Sequence, residues 1–188
     1  SLDIVLSYYE HGELYPVRGK SCSSEQIPEI AERFPTYEDF GTSNLKDVYG
    51  TDLDNALNLK AKTFATMYIE NLGDQEFKAE PLPMLAQVSS INDIVTRDFD
   101  NDGHKDLLLA GNLFTSEIET TRNDAGTGIY LRGDGSGNFS PLTVNNSGFF
   151  APLDVKNMQV LKGVKQELIL IANNNDKLQL IGYGTADQ

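Results

Sequence analysis

The chain alternates between short apolar runs and turns that are rich in glycine, asparagine and aspartate. Three of the apolar runs begin with an acidic residue, at positions 3–7, 106–110 and 167–173. Two further stretches, 68–77 and 130–139, each have the pattern of a strand, a Gly-Asp turn and a second strand. Apolar runs bounded by turn residues are typical of buried strands. The pattern therefore predicts a mainly β protein.

These elements recur at a fixed distance along the chain. Phe77 and Phe139, in the two hairpin stretches, lie 62 residues apart, and Asp106 and Glu167, which begin two apolar runs, lie 61 apart. Two independent landmarks thus give nearly the same period, which indicates a sequence repeat. Short strands repeated with such turns indicate stacked or radially arranged sheets.

Residues 19–58 interrupt the repeat with helical patterns. The stretch 23–26 resembles a capping box ahead of a short helix over 27–34, which Pro35 ends, and the stretch 36–39 caps a second helix. The apolar positions of this second part are Phe40, Leu45 and Val48. The insertion either carries binding specificity or covers an exposed sheet edge.

Two other connections are less regular. Residues 59–70 alternate imperfectly and predict one or two strands with one buried face. Residues 113–126 form a polar connection that is long for a hairpin. Its charged side chains either form a rim for a ligand or partner or pair with one another, and exposed charges favour the second interpretation. These side chains are Glu117, Glu119, Arg122 and Asp124.

The formal charge of −13 argues against binding to nucleic acid or to anionic membrane surfaces. No apolar run is long enough to span a membrane, so we expect no membrane insertion. The single cysteine, Cys22, excludes an internal disulfide, and we expect it to be a small apolar filler. No signal peptide is visible, and the chain begins in the middle of a repeat pattern, so we expect a mature or excised segment.

Residues 98–106 carry the clearest candidate chemistry. Four aspartates occupy positions 1, 3, 5 and 9 of this loop: Asp98, Asp100, Asp102 and Asp106. Carboxylates this close repel one another unless a cation lies among them. Calcium prefers oxygen ligands and tolerates the irregular shell that such a loop offers. Gly103, at position 6, permits the sharp turn, and His104, at position 7, would contribute its backbone carbonyl while its imidazole points to solvent.

Position 12 distinguishes this loop from an EF-hand. An EF-hand places a bidentate glutamate there, on the helix that leaves the loop. Here position 12 is Leu109, within an apolar run that predicts a buried strand. The sequence therefore predicts a calcium loop that leads into a strand. The alternative is a turn rich in aspartate and glycine without a metal.

The loop, its strand and the Gly-Asp hairpins together resemble repeats of the FG-GAP/VCBS type, over roughly residues 1–18 and 59–183. The repeat sequences resemble bacterial members of this family more than animal members. That family, which includes integrin α-chain propellers, builds β-propellers with calcium loops in extracellular or cell-surface proteins. The resemblance implies a single calcium ion as the cofactor. Its implied ligands are Asp98, Asp100, Asp102, the carbonyl of His104, and Asp106.

The other two copies of the repeat lack a complete loop. The first copy retains only Asp3. The third has residues at the corresponding positions that cannot hold calcium: Gln159, Leu161, Gly163, Lys165 and Glu167. We therefore expect one calcium site in this chain.

The resemblance implies a partial β-propeller of about three incomplete blades with a small helical insertion. We expect residues 1–188 to form a single propeller-like segment, with the insertion at about 19–58. About three incomplete blades cannot close a ring. Either the chain belongs to a longer protein, or its open sheet edges pair with another chain, which makes self-association plausible. By resemblance, the location is extracellular, periplasmic or at the cell surface.

Two functions of different classes follow. The first is a non-catalytic, calcium-binding propeller segment that presents loops for binding a protein or a glycan. The second is part of a secreted, metal-dependent or carboxylate-based hydrolase that acts on glycans or phosphoesters. The sequence favours the first, because its clustered carboxylates are already assigned to calcium and it offers no Ser-His-acid set. We therefore expect no catalytic residues.

Overall fold

The computed structural model describes residues 4–116, 118 and 120–183. The chain divides into two compact units, Ser1–Lys62 and Thr63–Gln188, which we call the N-terminal and C-terminal units. The described residues form eleven strands in four small sheets, with few and short helices. The prediction of a mainly β fold is therefore confirmed.

The N-terminal unit contains one hairpin and all four of the longer helices. Its strands are β1 (Ser7–Glu10) and β2 (Glu13–Pro16). Its helices are α1 (Lys20–Gln26), α2 (Glu29–Arg33), α3 (Tyr37–Gly41) and α4 (Leu45–Tyr49), followed by a 3-10 helix at Gly50–Asn55. The helices lie within the predicted insertion, and their core is formed by Ile30, Phe40 and Val48. Every helix in the described part of the chain is too short to cross a bilayer.

The capping predictions were right for one helix and wrong for the other. The Thr36 hydroxyl accepts a hydrogen bond from the Asp39 N–H at 3.0 Å, and this capping box begins α3 as expected. The predicted capping box at 23–26 lies inside α1 instead. Pro28 explains the difference: it forces Ile27 into an extended conformation, which ends α1, and α2 begins directly after it.

Three other expectations for this region also need correction. The apolar run at 3–7 was expected to be a strand, but β1 begins only at Ser7, and Asp3 lies outside the described residues. The strand expected over 59–70 begins at Met67. Cys22 is exposed and is not a buried filler.

The C-terminal unit consists of three antiparallel sheets whose strands follow in chain order. A hairpin comprises β3 (Met67–Gly73) and β4 (Glu76–Pro81). A four-stranded sheet comprises β5 (Ile91–Arg97), β6 (Asp106–Gly111), β7 (Ile129–Gly133) and β8 (Phe139–Leu142). A three-stranded sheet comprises β9 (Val155–Lys162), β10 (Glu167–Asn173) and β11 (Gln179–Tyr183). A 3-10 helix (Met84–Gln87) and α5 (Val144–Ser147) lie in the connections. Both predicted hairpins and the strand at 167–173 are confirmed.

Strand β6 lies at the centre of the core and is buried on both faces. On one face, Leu108 and Ala110 pack into a cluster that extends to β9 and β10. On the other face, Leu109 packs into a second cluster with Leu131 and Leu82. Because side chains alternate across a strand, a continuous apolar run is what a strand covered on both faces requires. This explains the run of three leucines after Asp106.

Side-chain amides join the four-stranded and three-stranded sheets where β5 and β9 lie side by side. The Asn92 Nδ2 donates to the carbonyls of Asn112, at 2.9 Å, and Val155, at 2.7 Å. The Asn112 side chain is buried and donates to the carbonyls of Pro152 and Leu153 at 3.0 and 3.2 Å. We call this contact the amide seam. It supplies donors to backbone carbonyls where the two sheets meet.

Truncating the second core cluster should unfold the C-terminal unit more easily. Leu131 is fully buried, so we expect Leu131→Ala to lower the free energy of unfolding by about 2–5 kcal/mol, as core leucine truncations do. The control is Leu180→Ala, at a site that is 59% exposed, which should change stability by less than about 1 kcal/mol. Denaturant titration followed by circular dichroism measures both. Equal effects would contradict the packing described for β7.

Candidate metal site

The acidic loop connects β5 to β6, which are antiparallel neighbours. Arg97, the last residue of β5, pairs with Asp106, the first residue of β6. The pairing brings the two ends of the loop together, so Asp98 and Asp106 face the same small volume. The structure therefore confirms that the loop leads directly into a buried strand.

The loop is shaped by hydrogen bonds from its own backbone to its carboxylates. Asp98 accepts from the N–H groups of Asp102, at 3.2 Å, and Gly103, at 3.0 Å. Asp102 accepts from the N–H of His104 at 2.9 Å. Asn101 and Gly103 have φ angles of 61° and 92°, in the left-handed region that favours asparagine and glycine. The glycine at position 6 thus has the conformational role that the sequence predicted.

Asp106 is fully buried and accepts three hydrogen bonds from other parts of the chain. Its Oδ2 accepts from the Phe99 N–H at 3.0 Å and from the Tyr130 hydroxyl at 2.7 Å. Its Oδ1 accepts from the Gly133 N–H at 2.9 Å. Gly133 has to be glycine, because a Cβ there would collide with the Lys105 carbonyl. Asp106 thus fastens the loop, β6 and β7 to one another.

Arg132, on β7, reaches over the loop and pairs with two of its carboxylates. Its Nε lies 2.7 Å from Asp100 Oδ2, and its Nη2 lies 3.0 Å from Asp102 Oδ2. Both pairs are partly exposed to solvent, so their contribution to stability is small. Their importance is local, since the guanidinium offsets part of the charge on the four aspartates.

The protonation of the site follows from these contacts. The hydrogen bond from the His104 N–H, assisted by Arg132, holds the pKa of the Asp102 carboxyl below its usual range. Burial, together with the hydrogen bond to Asp106, raises the pKa of the Tyr130 hydroxyl, so it stays a proton donor at neutral pH. Asp102 therefore carries ionised oxygen atoms at neutral pH.

The structure brings together three of the five predicted ligands. Carboxylate oxygens of Asp98, Asp100 and Asp106 lie within 4.8 Å of one another, and this is the group in the described part of the chain that can hold a metal ion. Asp102 is turned towards Arg132 and lies outside the group. The assignment of these residues and of the His104 carbonyl as calcium ligands stays a prediction.

The His104 imidazole does not simply point to solvent, as the sequence suggested. The residue is exposed, but its ring lies against the backbone of Gly135, where a Cβ would collide with the ring. Gly135 has a φ of 76°, which also favours glycine. The turn between β7 and β8 therefore contacts the acidic loop directly.

The corresponding acid of the third repeat, Glu167, makes a different set of contacts. It pairs with Arg97 at 2.6 Å and accepts a hydrogen bond from the Tyr183 hydroxyl at 2.7 Å. Burial and this hydrogen bond raise the pKa of Tyr183 to about 12. No other carboxylate in the described part of the chain gathers with Glu167 into a metal-holding group. Arg97 thus lies next to Glu167, the first residue of β10.

The polar connection at 113–126 contains an internal ion pair. Arg122 and Asp124 are 2.8 Å apart, and the guanidinium also stacks over the Phe114 ring at 4.2 Å from its centre. Glu117 and Glu119 lie outside the described residues. The two described charges therefore pair with one another, as the second interpretation of this loop expects.

Sequence reasoning missed two functional neighbours of the loop, Tyr130 and Arg132. Their contacts depend on the pairing of β6 with β7, in which Leu108 lies opposite Tyr130. Asp106 and Leu108 point to the same face, so the tyrosine and the arginine on β7 reach the loop. The sequence does indicate that Tyr130 and Arg132 lie on the same face of one strand, because they are alternate residues. It does not indicate that this strand pairs with β6.

Comparison of the chain with protein-family models, curated proteins and solved structures found no match. The geometry of the site and the resemblance of the repeats therefore remain the basis for a function.

Removing the Tyr130 hydroxyl, which donates a hydrogen bond to Asp106, should destabilise the C-terminal unit. We expect Tyr130→Phe to lower the free energy of unfolding by about 1.5–3 kcal/mol, because the buried carboxylate of Asp106 loses a charge-assisted hydrogen bond. The matched control is Tyr183→Phe, which removes a hydroxyl at the same 2.7 Å from Glu167. Its cost should be smaller, since Glu167 keeps Arg97 and is partly exposed. Chemical unfolding compares the two, and a larger effect at Tyr183 would contradict the role given to Asp106.

Proposed function

We propose that the chain is a non-catalytic, calcium-binding segment of an extracellular or cell-surface protein, and that its loops bind a protein or a glycan. The observation that carries the proposal is the convergence of Asp98, Asp100 and Asp106 at the entrance to β6. The cellular location and the loop-binding role come from the resemblance of the repeats to the FG-GAP/VCBS type.

The donor set fits calcium better than a transition metal. All side-chain donors in the group are carboxylate oxygens, which suit hard cations such as calcium and magnesium. The two histidines, His11 and His104, lie far apart in the sequence and lack the spacing of a zinc site. Calcium also accepts a flexible shell, whereas magnesium demands a near-ideal octahedron. Asp106 is buried and already accepts three hydrogen bonds, so in this proposal it contributes mainly charge, and the less buried Asp98 and Asp100 contribute most of the coordination.

Arg132 is an internal competitor for the cation in this proposal. Its guanidinium engages one oxygen of Asp100 and one of Asp102, and it leaves the other oxygen of each in contact with the loop backbone. For calcium to recruit Asp102, the contact with Arg132 has to lengthen or break. A positive charge close to the site also lowers cation affinity.

The sheet arrangement supports a partial β-propeller. The four-stranded and three-stranded sheets are both antiparallel meanders, and their first strands, β5 and β9, lie side by side at the amide seam. Radially repeated sheets of four strands are the blades of a propeller. In this interpretation, the β3–β4 hairpin represents the outer strands of a third blade.

The carboxylates support a binding role over a hydrolytic one. The general acid of a glycosidase needs a raised pKa. By contrast, hydrogen bonds hold the pKa of the Asp102 and Asp134 carboxyls low, and the pKa of Asp154 is also lowered, because Lys156 and Asn174 outweigh its burial. These three groups are stabilised as carboxylates, so none of them has the raised pKa that a general acid needs.

Calcium should stabilise the wild-type chain against heat. Mass action predicts that calcium raises the free energy of unfolding by about 2.7 kcal/mol when it is present at about 100 times its dissociation constant. We expect millimolar calcium to raise the melting temperature, EDTA to reverse the shift, and Asp100→Ala to abolish it. The charge-matched control is Asp176→Ala, whose exposed carboxylate accepts only from the neighbouring Lys177 N–H. Differential scanning calorimetry measures the shift, and an unchanged wild-type melting temperature would overturn the proposal.

Arg132→Gln should tighten calcium binding while slightly destabilising the calcium-free chain. Loss of the competing charge should raise the calcium affinity severalfold at this partly exposed site. The control is Arg122→Gln, which removes the same charge from an ion pair with Asp124. Isothermal titration calorimetry at low and high salt gives the affinities. Weaker calcium binding by Arg132→Gln would show that the arginine supports the site and does not compete with the cation.

A further inference from the structure

The acidic loop carries a phenylalanine, Phe99, between two of the candidate ligands. Asp98 and Asp100, whose carboxylates belong to the metal-holding group, are its immediate neighbours in the sequence. The Phe99 N–H donates a hydrogen bond at 3.0 Å to Asp106, the third member of the group. A shift of the Phe99 backbone would therefore move two carboxylates of the group relative to the third.

The Phe99 ring attaches the loop to both of the larger sheets. It packs against the core cluster that extends from β6 to β9 and β10, which we call the inter-sheet cluster. Its centre lies 5.9 Å from that of Tyr130, on β7, and 4.9 Å from that of Tyr183, on β11. Both pairs are edge to face, with interplanar angles of 70° and 75°, which is a favourable arrangement of aromatic rings. One side chain of the loop thus contacts an aromatic residue of each sheet.

The two tyrosines that contact Phe99 are themselves held in place by hydrogen bonds. The Tyr130 hydroxyl donates to Asp106 and the Tyr183 hydroxyl donates to Glu167, each at 2.7 Å. These acids begin the buried strands β6 and β10. Hydrogen-bonded networks of this kind restrict the movement of their members. The packing of Phe99 therefore depends on the relative position of the two sheets.

Packing of the Phe99 ring opposes the mutual repulsion of the loop carboxylates. Carboxylate oxygens of the metal-holding group lie within 4.8 Å of one another, so their charges favour an open loop when no cation is bound. Opening the loop would expose the Phe99 ring to water, which is unfavourable for an apolar side chain. Ligands that are already held together reduce the ordering cost of binding. The ring is therefore placed to preorganise the site.

We propose that Phe99 is a positioning residue of the calcium site and that it couples calcium binding to the packing of the two sheets. The inference rests on the calcium-binding function proposed above and adds the route by which the ion acts on the fold. Coupling between two sites is reciprocal. Packing of Tyr183 against Phe99 therefore raises the affinity of the loop for calcium, and bound calcium stabilises the packing of β11 against the loop.

Calcium affinities of matched variants, measured by isothermal titration calorimetry, test the positioning role. Phe99→Ala should bind calcium about tenfold more weakly, because the ion then has to order a loop without its anchor. Phe99→Leu keeps an apolar side chain and should lose no more than about threefold.

The matched control is Phe149→Ala, which removes a ring from the same inter-sheet cluster at a position outside the loop. Phe149 is 3% exposed, so its truncation should destabilise the chain at least as much as that of the partly buried Phe99, yet leave the calcium affinity unchanged. If circular dichroism shows that an alanine variant is unfolded, Phe99→Leu is compared with Phe149→Leu. Equal losses of affinity at the two positions would overturn the positioning role, because lost stability would then explain both.

A double-mutant cycle tests whether Phe99 acts through Tyr183. Tyr183→Leu removes the ring and should weaken calcium binding about fivefold, whereas Tyr183→Phe keeps the ring and should change the affinity by less than about twofold. In the Phe99→Ala background, Tyr183→Leu should have no further effect on affinity. Fully additive effects of the two substitutions would overturn the coupling.

Hydrogen exchange of the wild-type chain, measured by NMR, tests the reciprocal effect without a variant. Calcium should slow amide exchange in β11 more than in β4, which is also at a sheet edge but contributes no described residue to the inter-sheet cluster. Equal slowing in both strands would overturn the coupling, since calcium would then stabilise the unit as a whole. Calcium binding by the wild type with an unchanged affinity in Phe99→Ala would overturn this inference alone. Absence of calcium binding by the wild type would overturn the proposed function as well.

Discussion

The buried carboxylate of Asp106 is the interaction on which the rest of the C-terminal unit depends. An ionised group away from water is strongly unfavourable unless hydrogen bonds replace its hydration. Three donors do so here, from Phe99 in the loop and from Tyr130 and Gly133 on β7. The bonds fix where the acidic loop ends, which strand lies beside β6, and which face of that strand is directed towards the loop. The geometry of the candidate metal site thus depends on the hydrogen bonds of one buried carboxyl group.

The second sheet has a comparable acid at the start of its buried strand. Glu167 opens β10 as Asp106 opens β6, and it also accepts a tyrosine hydroxyl at 2.7 Å. Beside it, Arg97 supplies a positive charge at 2.6 Å. An acid at the start of the buried strand therefore serves strand organisation in both sheets. The additional aspartates at 98, 100 and 102 distinguish the acidic loop from the start of β10, and Arg132 offsets part of their charge.

Local patterns in the sequence predicted what depends on neighbouring residues. The apolar run after Asp106 predicted a buried strand, and the Gly-Asp turn within 130–139 predicted a hairpin, because both signals lie within a few residues of their cause. The contacts of Tyr130 and Arg132 with the loop could not be predicted, because they depend on a strand pairing made across a connection of many residues. The position of α1 was missed for a different reason: Pro28 outweighed the capping pattern that precedes it.

The amide seam has a mechanical consequence. Asn92 donates from one nitrogen to carbonyls on two separate segments, at 2.9 and 2.7 Å. A slip of one residue along β9 moves the Val155 carbonyl by about 3.3 Å, which is enough to break such a bond. A pulling force directed along the strands would therefore load this bond in shear together with the bonds from Asn112 to Pro152 and Leu153, whereas a force that peels the sheets apart would break them one after the other. Resistance of these sheets to tension should accordingly depend on the direction of pulling.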